Sequence, residues 1–151
     1  MMKDSETNKV FLSGQLKKKY QDTFRRLTAL FDEEGVEWDL IPQTKDIWAR
    51  DYMPIQMGDH DFLLYRYEPD YLLDDKEYME TITDASLSCR AMGIQYRNTD
   101  IKIDGGNITC CGDYIVMTDK VFTENNKEKN DPSFLKELEQ ALGHKIIIPW
   151  H

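Results

Sequence analysis

Apolar residues recur every three or four positions in three stretches of the chain, a spacing that places them on one face of an α-helix. Each stretch also has a helix start or stop signal, such as a capping Ser or Asp before it or a Gly after it. The predicted helices cover about residues 14–34, between Ser13 and Gly35; 78–92, before Gly93; and 132–142, between Asp131 and Gly143.

A short β-prone run follows each predicted helix. These runs are Val36–Ile41, Ile94–Tyr96 and Lys145–Ile148. Their β-branched and aromatic residues favour strands. The unit of helix, glycine and strand recurs at a period of roughly 50 to 60 residues, which is long for a solenoid repeat. Alternating helices and strands are typical of an α/β fold.

Two loops, 46–54 and 104–107, each lead into a predicted β-hairpin. The first hairpin joins Ile55–Met57 to Phe62–Tyr65, and the second joins Ile108–Cys110 to Tyr114–Met117. We therefore predict a single domain over 1–151 with three repeats, covering about 9–67, about 75–122 and, incompletely, about 131–151.

The charge balance makes some partners unexpected. The 151 residues include 19 Lys and Arg against 28 Asp and Glu, a net charge of −9, so binding to nucleic acid phosphates is not expected.

No apolar run approaches the roughly 20 residues of a membrane-spanning helix. Three cysteines, two of them adjacent, do not form a disulfide framework, which favours the reducing cytoplasm. Asp59–Asp61 has the composition of an exposed hairpin tip, and we expect neither a metal nor a cofactor.

Trp48, Arg50 and Asp51 lie together in the first loop. In an extended backbone, Trp48 and Arg50 would share one face and Asp51 would lie on the other. A carboxylate placed there can accept paired hydrogen bonds from a planar guanidinium cation. The same spacing fits a structural Arg–Asp pair beside a core Trp. These residues alone leave both interpretations open.

Gly105, Gly106 and Asn107 follow Asp104 in the second loop. Adjacent glycines permit positive φ angles and a close approach of backbone or ligand. Such turns are also common in ordinary loops. Taken alone, this motif predicts a turn and no particular chemistry.

Together, the two loops resemble a specific family. Trp48–Pro54, which reads W-A-R-D-Y-M-P, is similar to the W-x-R-D-x-G-P signature of agmatine deiminases and bacterial (Porphyromonas-type) peptidylarginine deiminases. Asp104–Asn107 is similar to the Gly-Gly-Asn turn of that family. Val116–Asn125 and Leu138–Trp150 resemble the family's following segments, so the likeness spans nearly the whole chain in the right order.

The resemblance implies a pentein fold, an α/β-propeller with five ββαβ-type units around a central channel, of which this chain would form about two and a half. It also implies hydrolysis of a guanidinium group to a ureido product and ammonia. With agmatine this reaction belongs to putrescine biosynthesis, and with peptidyl-arginine it is citrullination. In the family a Cys thiolate attacks the guanidinium carbon while a His acts as general acid and base.

The match to the family's motifs assigns roles residue by residue. Asp51 matches the carboxylate that binds the guanidinium, and it is the one catalytic role carried over. The candidate substrate-binding residues are Trp48, Arg50, Asp51, Gly105, Gly106 and Asn107.

Two departures from the family limit what the chain can do. The family's His-x-Asp motif and nucleophilic Cys lie downstream of the Ile-Pro-Trp stretch, and these 151 residues contain no His-x-Asp. Met53 stands where the family has Gly. Cys110 and Cys111 lack a nearby His in the sequence, and Cys89 fits the apolar stripe of the second predicted helix, so all three are expected to be structural.

Three functions remain open from the sequence. The chain is the N-terminal part of a deiminase, truncated or completed by another polypeptide and inactive alone. Alternatively, it is a non-catalytic module that binds guanidinium compounds. In the third hypothesis it is an interaction domain whose exposed strands pair with another chain, as a homo-oligomer or with a complementing C-terminal chain.

Overall fold

The computed structural model describes residues 1–2, 6–73 and 75–149. Within them the strands are β1 Lys9–Ser13, β2 Glu37–Ile41, β3 Ile55–Gln56, β4 Phe62–Arg66, β5 Arg97–Lys102, β6 Thr109–Cys111, β7 Tyr114–Val116 and β8 Lys145–Ile147. The α-helices are α1 Gly14–Lys19, α2 Gln21–Glu33, α3 Ala49–Tyr52, α4 Asp70–Leu73, α5 Lys76–Met79, α6 Ala85–Met92, α7 Lys120–Glu124 and α8 Pro132–Leu142. The chain is thus an α/β protein, as predicted.

The described strands form three separate sheets with a common pattern. β3, β4 and β5 make one sheet, in which β4 pairs antiparallel with β3 and parallel with β5. β6, β7 and β8 repeat that arrangement. β1 and β2 form a parallel pair. Each parallel pair is connected by helices, as a crossover between parallel strands requires.

The sheets do not coincide with the predicted repeats, because each of the two three-stranded sheets combines strands from two neighbouring predicted repeats. Each hairpin shares a sheet with the strand that follows it, β5 or β8, and not with the strand that precedes it. The sequence could not reveal this pairing, because strand partners are set by tertiary contacts. Trp150 and His151, at the end of the third predicted repeat, lie outside the described residues.

The predicted helices differ from the observed ones where the backbone breaks. The helix predicted over 14–34 is two helices, because Tyr20 has φ −135° and ψ 61° between α1 and α2. The second predicted helix is also divided, since Asp84 caps a new helix, α6, by accepting a hydrogen bond from the Ser86 backbone N–H. β5 begins at Arg97 and not at Ile94. The three- and four-residue spacing of apolar residues continues across both breaks, so the sequence pattern did not predict them.

Several predicted end signals are confirmed. The Ser13 side chain accepts a hydrogen bond from the backbone N–H of Gln15 at the start of α1. Asp131 caps α8, whose first residue is Pro132. Gly93 and Gly143 end α6 and α8 in the left-handed conformation, with φ of 70° and 63°.

One hydrophobic core joins the second and third sheets to their helices. Its fully buried members include Leu63, Ile115, Leu138 and Leu142. The core includes no residue of β1 or β2, and those strands are buried only at their ends, at Ser13 and Ile41. Within the described part of the chain, none of the helices has the length and apolarity needed to cross a membrane.

Candidate active site

The loop after β2 is held by a buried polar network. The Ser13 hydroxyl donates to the backbone carbonyl oxygen of Asp46 at 2.6 Å, and the Tyr52 hydroxyl donates to the same oxygen at 2.9 Å. The Thr44 hydroxyl lies 2.8 Å from that of Ser13, and the Lys45 backbone N–H donates to Thr83 at 2.9 Å. These bonds fix the loop on which the W-x-R-D motif lies.

The W-x-R-D motif forms a helical turn, α3, instead of the extended segment considered from the sequence. Trp48 precedes the turn and is 62% exposed, so it is not a core residue. Arg50 directs its guanidinium to the backbone carbonyl oxygen of Ile108 at 2.7 Å. Among the described residues Asp51 has no salt bridge. The structure therefore contradicts the interpretation of a structural Arg–Asp pair beside a core Trp.

The Gly-Gly turn packs directly against α3. A Cβ atom on Gly105 would lie 2.0 Å from the backbone oxygen of Arg50 and 2.4 Å from the Tyr65 hydroxyl. A Cβ atom on Gly106 would lie 2.8 Å from the Asp51 carboxylate. The Tyr65 hydroxyl also donates to the backbone oxygen of Asp51 at 2.7 Å. The two loops can meet this closely only because both residues lack a side chain.

Asn107 fastens the turn to the segment before α7. Its side-chain oxygen accepts a hydrogen bond from the Thr118 backbone N–H at 2.8 Å. Asp104 accepts from the Gly106 backbone N–H at the same distance and closes the turn. Of the predicted substrate-binding residues, only Trp48 and Asp51 line the pocket described next. Gly106 lies against the Asp51 carboxylate, whereas Arg50 and Gly105 line a separate, larger cavity. Contact of a substrate with these residues or with Asn107 stays a prediction.

Asp51 lines a pocket of about 380 Å³. The pocket is lined by Asp46, Trp48, Asp51, Tyr67, Tyr71 and Leu72. Carboxylates attract a cation, and aromatic faces bind one through their ring quadrupoles. This combination of two carboxylates and three aromatic rings suits a flat cationic group such as guanidinium.

The environment of Asp51 disfavours its charged form. Burial is the largest cause that raises the pKa of its carboxyl, to about 6, followed by the negative charge of Asp104 and a hydrogen bond between the two carboxyl groups. The cation of Arg50 opposes this shift, and Asp46 adds to it. A cation in the pocket would relieve the repulsion between these carboxylates.

Two of the aromatic side chains of the pocket, Tyr67 and Tyr71, come from the chain after β4, where the sequence motifs mark no site residue. Tyr67 packs against the buried ring of Tyr52, with ring centroids 6.1 Å apart. Burial, followed by a hydrogen bond to Tyr71, raises the pKa of Tyr67 above its ordinary value, so its hydroxyl stays neutral. Tyr71 and Leu72 belong to the short helix α4.

Lys120, the first residue of α7, connects α4 to the part of the chain that forms the sheet of β6, β7 and β8. Its ammonium lies 2.9 Å from the Asp70 carboxylate, 4.9 Å from the centroid of the Tyr71 ring and 3.5 Å from the buried Glu124 carboxylate. Burial is the largest cause that raises the pKa of Glu124, and the charge of Lys120 opposes it. Lys120 thus holds the aromatic wall in place from outside the pocket.

No Cys or His is among the described residues that line the pocket. Cys89 is fully buried in the stripe of α6, and burial raises the pKa of its thiol to about 11, so it is a poor nucleophile. Over the same described ranges, no group of three or more His, Cys, Asp and Glu side chains is arranged to hold a metal ion. The pocket therefore has the chemistry of cation binding without a nucleophile of its own.

A larger cavity of about 1240 Å³ lies elsewhere, against β1, β2 and the β3–β4 hairpin. Its lining is mostly apolar and includes the cations Lys9 and Arg50, with Asp39 as its acidic residue. Asp39 is already paired with Lys9 at 3.2 Å. This cavity is larger but does not suit a cationic ligand.

Several solved structures with a similar fold are described as deiminases or candidate deiminases. C. jejuni agmatine deiminase superposes with a TM-score of 0.65 at 15% identity, covering 93% of this chain and 51% of that one. A Cys-to-Ser variant of C. jejuni agmatine deiminase, solved with substrate bound, gives 0.63 at 13% identity and covers 93% and 52%. A protein described as a candidate peptidyl-arginine deiminase gives 0.64 at 14% identity and covers 95% and 53%. The chain thus spans about half the length of these structures, and at such identities the likeness establishes the fold alone.

Sequence comparison establishes the family. No curated protein sequence matches the chain. A sequence model of the Porphyromonas-type peptidyl-arginine deiminase family, however, matches residues 3–150. That match includes the W-x-R-D turn, the Gly-Gly turn packed against it and the pocket beside them. The chain therefore belongs to the Porphyromonas-type peptidyl-arginine deiminase family.

Proposed function

We propose that this chain forms the guanidinium-binding part of a guanidino-group deiminase. The observation that carries the proposal is the position of Asp51, a carboxylate with a raised pKa in a small pocket walled by Trp48, Tyr67 and Tyr71. Family membership supports the reaction, which is hydrolysis of the guanidinium to a ureido product and ammonia. The three sheets are proposed to be blades of a partial pentein ring. The three free cysteines favour a location in the cytoplasm.

In this proposal, Asp51 binds and orients the cation. Its ionised carboxylate accepts paired N–H bonds from one edge of the guanidinium, and the aromatic side chains contact the flat faces of the cation. Tyr65 and Gly105 hold the backbone of Arg50 and Asp51 in place from behind. Fixing the plane of the guanidinium exposes its central carbon to attack from one direction.

The remaining catalytic groups are proposed to come from polypeptide outside these 151 residues, in the same chain or another. A deiminase needs a nucleophilic thiolate and a general acid and base. The described residues that line the pocket include neither the Cys nor the His that have these roles in the family. We therefore expect the 151-residue polypeptide to bind its substrate without converting it.

The acidic lining favours a small dication as the substrate. Asp46 lies in the same pocket as Asp51, and the pocket has no cationic side chain in its lining. Agmatine has an ammonium group beyond its guanidinium, whereas a peptidyl-arginine presents neutral amides there. We propose agmatine as the preferred ligand because the second carboxylate would stabilise the second charge.

Calorimetric titration of the 151-residue polypeptide tests this function. We expect agmatine to bind with a dissociation constant in the millimolar range or tighter, peptidyl-arginine mimics such as N-acetyl-arginine methylamide to bind more weakly, and putrescine, which lacks the guanidinium, to bind least. Ammonia release should stay at the background level. Absence of agmatine binding would contradict the site, and ammonia release would contradict the need for added catalytic groups.

Agmatine binding should depend on pH through Asp51. Only the ionised carboxylate attracts the guanidinium, and its pKa in the free protein is about 6. Affinity should therefore rise with pH between about 5 and 7 and then level off, with proton release on binding below pH 6. Titrations in buffers of different ionisation enthalpy measure that proton. A pH-independent affinity over this range would show that another group binds the ligand.

A further inference from the structure

The segment after β4 that lines the Asp51 pocket is anchored unevenly. Glu68 pairs with Lys102 of β5 at 3.1 Å, and Pro69 is fully buried. Beyond Pro69, however, the short helix α4 has no buried residue, and its Tyr71 is 53% exposed. The position of α4, and of Tyr71 on it, therefore depends on contacts that its side chains make near the surface.

Lys120 makes the charged contacts that hold α4. Its ammonium lies 2.9 Å from the carboxylate of Asp70 and 4.9 Å from the centroid of the Tyr71 ring. The same ammonium pairs at 3.5 Å with the buried carboxylate of Glu124 on α7. Since Phe122 anchors α7 in the hydrophobic core, one cation joins the exposed helix α4 to a helix that is fixed.

Tyr71 connects these contacts to the ligand pocket. Tyr71 lines the pocket, whereas Lys120 does not. The hydroxyl of Tyr71 is hydrogen-bonded to that of Tyr67, whose ring packs against Tyr52. The Tyr71 ring is thus held by Tyr67, a second residue of the pocket, and by Lys120, which lies outside it.

The geometry points to Lys120 as a positioning residue of the guanidinium site, acting through α4 and Tyr71. This inference rests on the proposed function, since it requires a guanidinium to bind beside Asp51. By holding the Tyr71 ring at the pocket, Lys120 orders an aromatic contact of the cation before the ligand arrives. Without Lys120, ligand binding itself would have to order α4, and this ordering would reduce the affinity.

The positive charge of Lys120, taken alone, has the opposite effect on binding. A cation next to the wall of a cation-binding pocket repels the ligand, so removing its charge should strengthen agmatine binding. A positioning role predicts weaker binding in spite of that lost repulsion. The sign of the change in affinity therefore distinguishes the two effects.

Calorimetric titration of the Lys120→Met variant with agmatine measures this sign. We expect binding at least about threefold weaker than in the parent chain, as follows from the loss of one partly exposed ion pair and one cation–π contact. Lys120→Arg should restore most of the affinity, because arginine also pairs with carboxylates and contacts aromatic rings. Lys145→Met is the matched control. Lys145 forms an ion pair of the same length, 2.9 Å, with Glu139, but it does not line the pocket, so its substitution should leave the affinity unchanged.

A double-mutant cycle tests whether Lys120 acts through the Tyr71 ring. In the Tyr71→Ala background, Lys120→Met should no longer weaken agmatine binding, since the side chain that Lys120 positions is already absent. An equal loss of affinity with and without the Tyr71 ring would contradict this route.

Hydrogen exchange of the ligand-free protein gives a readout that does not depend on agmatine. The backbone N–H of Leu72 donates to the carbonyl oxygen of Pro69 at 3.1 Å, so its exchange rate reports the opening of α4. This rate should rise at least about threefold in Lys120→Met, whereas the amide of the buried Leu138 in α8 should exchange at its parent rate.

Unchanged exchange at Leu72, or agmatine binding that is equal or tighter in Lys120→Met, would overturn the role of Lys120 and leave the Asp51 site intact. Absence of agmatine binding by the parent chain would contradict the proposed function and with it the role of Lys120 in binding. In that case the Leu72 exchange rate would still decide whether Lys120 holds α4.

Discussion

Asp51→Asn should lose at least about tenfold in affinity for agmatine at pH 7.5. A hydrogen bond to a charged group contributes about 1.5–3 kcal/mol, and each 1.4 kcal/mol corresponds to a factor of ten. The amide keeps the shape of the carboxylate but loses its charge and one acceptor atom. Calorimetry on the parent chain and the variant measures the difference.

The same substitution should leave the fold equally stable or make it more stable at neutral pH. The pKa of Asp51 is raised in the folded protein, so stability falls as pH rises from about 4 to about 6 and the carboxyl ionises. A neutral Asn avoids that loss. Thermal unfolding at pH 7.5 should therefore show an unchanged or higher Tm, together with weaker binding.

Asp59→Asn is the matched control for Asp51→Asn. It removes the same charge from an exposed residue outside the Asp51 pocket. It should leave agmatine affinity within a factor of about two, since only a distant, screened charge is lost. Equal loss of affinity in both variants would show that net charge, and not the pocket, attracts the ligand.

Gly105→Ala should destabilise the fold by at least about 3 kcal/mol, the upper end of what overpacking costs. The added methyl group would lie 2.0 Å from the Arg50 backbone oxygen and 2.4 Å from the Tyr65 hydroxyl. Neither can move freely, because Tyr65 is buried and bonded to the Asp51 backbone. For a domain of this size, Tm should fall by roughly 6–12 °C, measured by circular dichroism.

Two other glycines give graded controls for Gly105→Ala. Gly58→Ala meets only an ordinary contact, 3.8 Å from Asp61, and should change stability by less than about 0.5 kcal/mol. Gly106→Ala would crowd the Asp51 carboxylate at 2.8 Å. It should therefore weaken agmatine binding, and it should lower Tm less than Gly105→Ala does. A Gly105→Ala variant as stable as Gly58→Ala would refute the close packing of the two loops.

Local sequence signals predicted much of the fold because local contacts determine those elements. The capping residues Ser13 and Asp131, and the terminal glycines Gly93 and Gly143, act within a few residues of themselves. β1 was not predicted as a strand, because five residues offer too short a pattern to distinguish it from a loop. Its place in a sheet depends on β2, which lies about 28 residues along the chain.

The candidate site was predicted only where a motif marks it. The W-x-R-D and Gly-Gly motifs drew attention to Trp48 and Asp51, and the structure places both in one pocket. Asp46, Tyr67 and Tyr71 were missed, because acidic and tyrosine-containing segments are also typical of exposed connections. Tyr71 lines the pocket through its position in α4, next to Lys120, which lies far away in the sequence. Only a tertiary fold could reveal that neighbour.

The pKa of Asp51, measured by NMR of its carboxyl carbon with and without agmatine, tests the central claim most directly. Assignment by comparison with Asp51→Asn identifies the resonance. We predict a pKa of about 6 in the free protein, falling by at least one unit at saturating agmatine, because the bound cation stabilises the carboxylate. An ordinary carboxyl pKa near 4 that agmatine leaves unchanged would contradict a guanidinium site at this residue.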